Sequence, residues 1–390
     1  MSKLIYISPS IFPSQAANST HVILQVDALA KLYDQVLLVG MAARGVKSVS
    51  DIKDQLIDEY GVSMGNIDLA LCRNVLGFAE NLMIALFSVR FILLARDANV
   101  VTRNIYAAFL GLFLMRGSFI YETHNVENGF RSKLQRTLLK AKRVQVIVIS
   151  NSLKKILVEN YELKNNRITV CHDAARSNLP LIKASQAKMF DGIAEYTNII
   201  GYFGSLYPGR GIDIIEGMAK RMPESLFVVF GPSNQNLEFE RRVNKAHSNV
   251  RFYGFVSHKE IHRNMSECDF LLMPYQKTVS IGPSGSDTSK WMSPMKMFEY
   301  MAAARPIISS DLPVLREVLT DKVNALLVTP DNIEKWVEAT CSLRDDSSLR
   351  GDLAHNARSD YETKYNWSLR ASVIKVLLDN PDIDNEFYVM

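Results

Sequence analysis

The stretch Ser293-Pro-Met-Lys-Met-Phe-Glu299-Tyr-Met-Ala-Ala-Ala-Arg-Pro306-Ile-Ile-Ser-Ser-Asp311 decides how the rest of this chain is read. It predicts an amphipathic helix from about Pro294 to Ala304, then a short strand at Pro306–Ser309. Pro294 suits a first helical turn, where a missing N–H costs nothing, and Ser293 is placed to cap it. Met295, Phe298 and the Met301-Ala302 pair recur at helical spacing and should turn inward. Lys296 and Glu299 are three apart and share a face. Spacing alone leaves them open as a solvated surface pair or as a pair aimed at a ligand.

The flanks carry the reading further. Asp269-Phe-Leu-Leu-Met-Pro274 is a short apolar strand stopped by proline, and Ile307-Ile308 marks another. A helix between two parallel strands starts at the carboxyl edge of the sheet, where open α/β sheets bind ligands. Its free N–H groups and positive dipole end suit an anion. Together these residues resemble the donor side of family 4 retaining glycosyltransferases (glycosyl transferases group 1), in which "SPLKLFEYMA-G-P" is a recurrent string. Ala304 stands where that string has glycine. The resemblance implies an α/β chain of GT-B fold, two Rossmann-like domains facing each other across a cleft. It also implies that Glu299 meets the donor's ribose.

At 390 residues the chain exceeds what one core usually supports, so two domains are expected. We place them at 1–180 and 195–365, with a polar linker between; by resemblance the helix 366–390 packs back on the first. A net charge of +4, without a concentrated basic run, gives no dedicated nucleic-acid surface. Cys72, Cys171, Cys268 and Cys341 have no metal-ligand spacing and read as reduced thiols of a cytoplasmic protein. The start, Met-Ser-Lys-Leu-Ile-Tyr-Ile-Ser-Pro, reads as a strand rather than a signal peptide. Leu82–Ala95, interrupted by Arg90, and Ile105–Tyr121, interrupted by Arg116, fall short of the roughly 20 apolar residues of a spanning helix. Buried helix and strand account for both, and a peripheral contact with the inner face of the membrane stays open for Leu82–Leu94.

In the first half, strands are expected at Leu4–Ser8, Val36–Val39, Val100–Arg103, Gly117–Tyr121, Val144–Ser150 and Ile168–Val170. A helix is expected at His21–Lys31, capped by Ser19 or Thr20, and residues 45–80 read as polar and irregular. His124 directly follows a strand, which places it at a ligand edge. The resemblance implies that it touches the donor sugar, with a structural loop histidine as the alternative; neighbouring Glu122, Asn125 and Glu127 are candidates for the acceptor. His172 reads as structural or cleft-lining. Ser132–Ala141 is a basic amphipathic helix, either a solvated face or a surface for a phosphate-rich or lipid-linked acceptor.

The second half opens with the strand Asn198–Gly204 and the loop Ser205-Leu-Tyr-Pro-Gly209-Arg210-Gly211. Glycines allow close backbone approach and arginine can fork onto two phosphate oxygens. The loop lacks the dinucleotide spacing. Family members carry an arginine where Ser205 stands, which would leave Arg210 to act with Lys296. Gly204, Ser205, Gly209, Ser293 and Pro294 are expected around the donor, with Gly231, Phe255 and Val256 at its base. Trp291 occupies the place of a glutamate that many relatives direct to the donor sugar. Leu312–Leu319 reads as helical, and Trp367 as the anchor of the last helix.

The resemblance thus implies a retaining, metal-independent transferase without a cofactor, moving sugar from a nucleotide diphosphate sugar to a glycan or lipid-linked acceptor. His124, Arg210, Lys296 and Glu299 would carry it, in polysaccharide or glycoconjugate assembly. Two rivals stay open: a nucleotide-sugar epimerase of the same fold, and a binder without catalysis.

Overall fold

The structure, a computed structural model, describes residues 2–45, 48–73, 79–94, 98–163, 167–181, 190, 195–232, 237–280 and 287–380. It divides into two compact units: residues 1–173 with 367–390, and residues 174–366. Most of the expected linker, part of the loop Tyr275–Ser289 and the end of the 366–390 helix lie outside the described residues.

Strand and helix alternate through the first unit: β1 Lys3–Phe12, α1 Ala17–Ala30, β2 Gln35–Ala42, α2 Val49–Tyr60, β3 Ile67–Arg73, α3 Glu80–Leu94, β4 Asn99–Thr102, α4 Ile105–Leu114, β5 Phe119–Thr123, α5 Phe130–Lys140, β6 Val144–Val148, α6 Asn151–Tyr161 and β7 Ile168–Val170. Parallel strands need such crossovers. The seven-stranded sheet has the order β3-β2-β1-β4-β5-β6-β7, so the chain reverses its direction of travel between β1 and β4. The second unit continues with β8 Asn198–Phe203, α7 Ile212–Arg221, β9 Ser225–Phe230, α8 Leu237–Ala246, β10 Val250–Gly254, α9 Ile261–Ser266, β11 Phe270–Met273, α10 Met295–Ala302, β12 Ile307–Ser310, β13 Leu326–Val328, α11 Ile333–Asp345 and α12 Ser347–Thr363. Its six-stranded sheet runs β10-β9-β8-β11-β12-β13 and reverses between β8 and β11. The last helix, α13 Trp367–Asp379, belongs to the first unit and lies against α1 and β5.

Four expectations need correction. Residues 45–80 hold α2 and β3; α2 buries Ile52, Leu56 and Tyr60 and is capped by Ser48, whose Oγ accepts from the Asp51 N–H at 3.1 Å. α1 begins at Ala17 behind an Ala16 N-cap, so Ser19 and Thr20 lie inside it, and Ser19 Oγ donates to Ile11 O instead. Pro294, not Ser293, is the N-cap of α10, in extended backbone and without a side-chain cap. Leu312–Leu319 contains only a short 3-10 turn at Leu315–Glu317. Asn324 competes there, its amide donating to Val318 O at 3.1 Å while its oxygen accepts from the Thr320 N–H.

Candidate functional site

In the second unit the strand order reverses between β8 and β11, and open α/β sheets place ligands beyond the carboxyl ends of such a pair. Tyr300 of α10 fixes this corner. Its hydroxyl accepts from the Phe203 N–H at 2.9 Å and donates to Leu272 O at 3.1 Å, tying the helix to both strand ends. Helix phase then carries Lys296, one turn earlier, to the same edge.

Lys296 and Glu299 are 9% and 8% exposed, so they are not a solvated surface pair. Among the described residues, Lys296 Nζ has no hydrogen-bond acceptor. It lies 4.2 Å from the Tyr202 ring centre and 4.5 Å from that of Tyr275. Burial first, then the positive charge of Arg210, push its ammonium well below the usual lysine range, with Glu299 opposing. Arg210 donates from Nη1 to the Tyr275 hydroxyl at 2.8 Å and from Nη2 to Ser280 O at 3.2 Å, while its Nε has no acceptor among the described residues. Two cations, Lys296 buried and Arg210 half-buried, thus share one corner beside aromatic faces. Such a corner can take an anion carrying more than one charge.

The glycines of the Ser205–Gly211 loop have a structural reason of their own. Gly209 and Gly211 have φ of +81° and +78°, and a Cβ would fall 1.9 Å from Thr278 O and 1.8 Å from Pro274 O respectively. They let the loop lie flat on the segment after β11, which in turn aims Arg210. A Cβ on Gly231 would meet Gly204 O at 2.2 Å, so this glycine joins the β8 and β9 ends. A Cβ on Gly204 would lie 3.3 Å from Lys296 Nζ. Phe255 is 41% exposed, and Val256 packs on the core. Ser205 accepts the Tyr202 hydroxyl through its main-chain oxygen, at 2.7 Å.

Glu299 points elsewhere. Its Oε1 lies 2.5 Å from His258 Nε2, and both line a small pocket with Arg176, Ile261 and His262. His258 went unremarked in the sequence. The signal that could have found it was already in use at His124, a histidine just past the end of a strand.

The first unit holds a second polar cluster, in which His124 follows β5 as expected. Its Nε2 lies 2.8 Å from Glu122 Oε1, and Arg103, at the end of β4, approaches its Nδ1 at 3.1 Å. Burial and Arg103 push His124 down to about 4, so the ring is neutral. Because a guanidinium only donates, Nδ1 accepts from Arg103 and Nε2–H donates to Glu122. Glu122 is only 1% exposed and faces inward rather than toward an acceptor. It also meets His21 Nε2 at 3.0 Å, Arg370 Nη2 at 3.0 Å and the Tyr6 hydroxyl at 3.1 Å. Burial alone would raise its carboxyl, but Arg370 and the two histidines hold it well below the usual range. Arg370 is fully buried on α13, and it also reaches Gln25 and the carbonyls of Cys171 and His172. His21 Nδ1 lies 3.0 Å from Asp173 Oδ1.

His21, Glu122 and His124 each bring one ligand atom within 4.8 Å of the others, which is metal-like spacing. Arg370 already stands against Glu122 Oε1, and His124 Nε2 already bonds the same oxygen, so a divalent ion would have to displace that guanidinium and break the His124–Glu122 hydrogen bond. The Asp-x-Asp string of the sequence, Asp382-Ile-Asp384, lies outside the described residues.

Residues 197–346 match the family model described as glycosyl transferases group 1. An uncharacterized glycosyltransferase of Methanocaldococcus jannaschii is 24% identical over 224 residues, 57% of this chain and 56% of that one. The O-antigen chain mannosyltransferase RfbU of Salmonella typhimurium is 24% identical over 231 residues, 58% of this chain and 56% of that protein. The chain therefore spans little more than half the length of these relatives. Among solved structures, HepE of Anabaena in complex with UDP superposes with a TM-score of 0.70 at 17% identity, covering 97% of this chain and all of that one. Sucrose-phosphate synthase of Thermosynechococcus elongatus gives a TM-score of 0.74 at 14% identity, covering 98% and 99%. The fold is thus GT-B, with two Rossmann-like domains, and residues 197–346 are similar to glycosyl transferases group 1.

Proposed function

We propose that the protein is a retaining, metal-independent glycosyltransferase that takes a sugar from a nucleotide diphosphate sugar and passes it to a glycan or lipid-linked acceptor. The observation that carries this reading is the pair of cations at the β8/β11 reversal, of which Lys296 is buried without an acceptor among the described residues. The donor diphosphate supplies the missing charge. Arg210, Lys296 and the N-terminal N–H groups of α10 stabilise the negative charge that grows on the leaving group as the glycosidic bond breaks. This stabilisation is electrostatic and pre-arranged, and it requires no carboxylate nucleophile. Glu299 accepts from the ribose hydroxyls while His258 holds its other side. The ring nitrogens of His124 are engaged by Glu122 and Arg103, so its ring is held as a fixed neutral group in the first unit. The match of residues 197–346 to glycosyl transferases group 1 and the UDP bound by the Anabaena relative support this reading.

Trp291 favours a second reading. It stands where many relatives place a sugar-directed glutamate, and its loss suits a protein that binds the nucleotide and transfers nothing. A thermal-shift screen against UDP, GDP, ADP and CDP sugars, with and without chelator, followed by product analysis, separates the two. One chelator-insensitive donor that is consumed supports the transferase. Binding without turnover across an acceptor panel supports the binder, and no binding at all overturns both.

A further inference from the structure

The α3, α4 and α5 helices lie side by side over one face of the first unit's sheet. Their outward surfaces do not look like those of helices meant for water. α4, Ile-Tyr-Ala-Ala-Phe-Leu-Gly-Leu-Phe-Leu, has no charged residue, yet only Ile105, Ala107, Ala108 and Gly111 are buried. Beyond Glu80, α3 has Arg90 as its one charged residue and buries only Ile84, Ala85, Ser88 and Ile92. The unburied remainder is large and apolar: Leu94 is 84% exposed, Phe113 74% and Leu86 60%. Apolar side chains gathered on neighbouring helices mark a surface that something covers.

The border of this surface indicates what covers it. α5 turns Lys133, Arg136 and Lys140 to solvent, followed by exposed Lys142 and Arg143. Arg143 joins the two regions, donating to the carbonyls of Met115 and Gly117 just beyond the end of α4. Arg90, exposed on α3, adds a cation beside the apolar groups, 4.1 Å and 4.5 Å from the ring centres of Phe87 and Phe91. Among the described acidic residues of this stretch, Glu122 is buried, Glu127 is paired with Arg131 at 2.7 Å, and Glu80 sits at the start of α3. An apolar face rimmed by cations with almost no acid fits an anionic surface with an apolar interior. A second copy of the chain fits poorly, because an isologous contact would bring two such basic rims together.

We propose that the outward faces of α3 and α4, with the basic rim of α5, form a docking surface for an anionic phospholipid bilayer. Leu86, Leu94 and Phe113 enter the apolar boundary while Lys133, Arg136 and Lys140 meet lipid phosphates. The surface is separate from the proposed donor site, so this inference stands even if the chain transfers no sugar.

The test is sedimentation of the full chain with phosphatidylcholine vesicles and with vesicles containing roughly one-third phosphatidylglycerol. Wild type should bind the anionic vesicles at least about tenfold better than the neutral ones, and lose that advantage between about 0.1 M and 0.5 M salt. Leu86→Ser with Phe113→Ser should cut binding at least about tenfold at low salt. Lys133→Ser, Arg136→Ser and Lys140→Ser together should abolish the anionic preference. All five positions are exposed, and an unchanged melting temperature checks their folding. Failure of wild type to bind anionic vesicles overturns the proposal without any variant, as does equal binding to both vesicle types. Undiminished binding by the Leu86/Phe113 variant also overturns it. A dimer that this variant converts to monomer, with no vesicle binding by either, assigns the face to self-association instead.

Discussion

The ammonium of Lys296 lies 4.2 Å from the centre of the Tyr202 ring and has no hydrogen-bond acceptor among the described residues. A ring face attracts a cation, but it does not replace the water that a buried ammonium loses. The side chain therefore binds its proton weakly until an anion arrives.

That makes ligand binding a protonation event. Burial and Arg210 lower the Lys296 pKa in the free protein, and a diphosphate beside it raises the pKa again. A nucleoside diphosphate should thus be bound with net proton uptake, largest at pH values between the lowered pKa of the free protein and the higher pKa of the complex. Calorimetry in buffers of different ionisation enthalpy measures this directly. Equal enthalpies in all buffers, or uptake that persists in Lys296→Met, would contradict it.

Glu299 and His258 meet at 2.5 Å, so the carboxylate assigned to the ribose is held in place before any ligand binds. Glu299→Ala should weaken nucleotide binding at least tenfold, about 1.4 kcal/mol. His258→Ala should cost less, because it frees the carboxylate rather than removing it. Both variants should lose most of the discrimination between ribose and 2′-deoxyribose nucleotides. A preserved preference in Glu299→Ala would remove this residue from ribose recognition.

Ala304 is a third point of leverage. It follows the α10 C-cap and has φ of +52°, a conformation that glycine adopts without cost. This gives a physical reason for the glycine in related strings. Ala304→Gly should stabilise the fold by about 1 kcal/mol, visible in urea unfolding as a higher midpoint at constant slope. No change, or a loss, would show that the strain is relieved elsewhere.

The Arg370–Glu122 pair ties the last helix to β5 in a fully buried setting. Arg370→Met takes the permanent cation away from the buried Glu122 carboxylate, leaving it His124, His21 and Tyr6, and should cost about 3–5 kcal/mol in urea unfolding. A loss under about 1 kcal/mol would contradict the pairing. The same cluster should make the protein acid-labile. The folded pKa of His124 is about 4, below its ordinary 6.5, so its contribution is complete above 6.5 and is lost as pH falls toward 4. The lowered pKa values of Glu122 and Asp173 extend that loss below the ordinary carboxylate range. A melting temperature that holds steady from pH 7 to about 4 would be inconsistent with this linkage.

Much of the fold and part of the candidate site can be read from the chain. The phase of Lys296 and Glu299 within an apolar helix, between two short strands, was visible because period and punctuation agreed. What escaped was set by distant partners or weak periodicity. β3 is an edge strand with partial burial, so it shows no continuous apolar run. Arg370 faces inward from a helix where a charge is expected to face water, and its partner Glu122 is 248 residues away. Glycine at 209 and 211 suggested room for phosphate, whereas the Cβ positions show that it makes room for Thr278 and Pro274.

The central claim is that Lys296 and Arg210 hold the diphosphate of the donor. The most direct test is calorimetric titration of wild type, Lys296→Met and Arg210→Lys with the nucleoside di- and monophosphates of the base that the donor screen identifies. The account predicts that wild type prefers the diphosphate and that either substitution lowers its affinity at least about tenfold while changing monophosphate affinity much less. Diphosphate affinities that match wild type in both variants would contradict it.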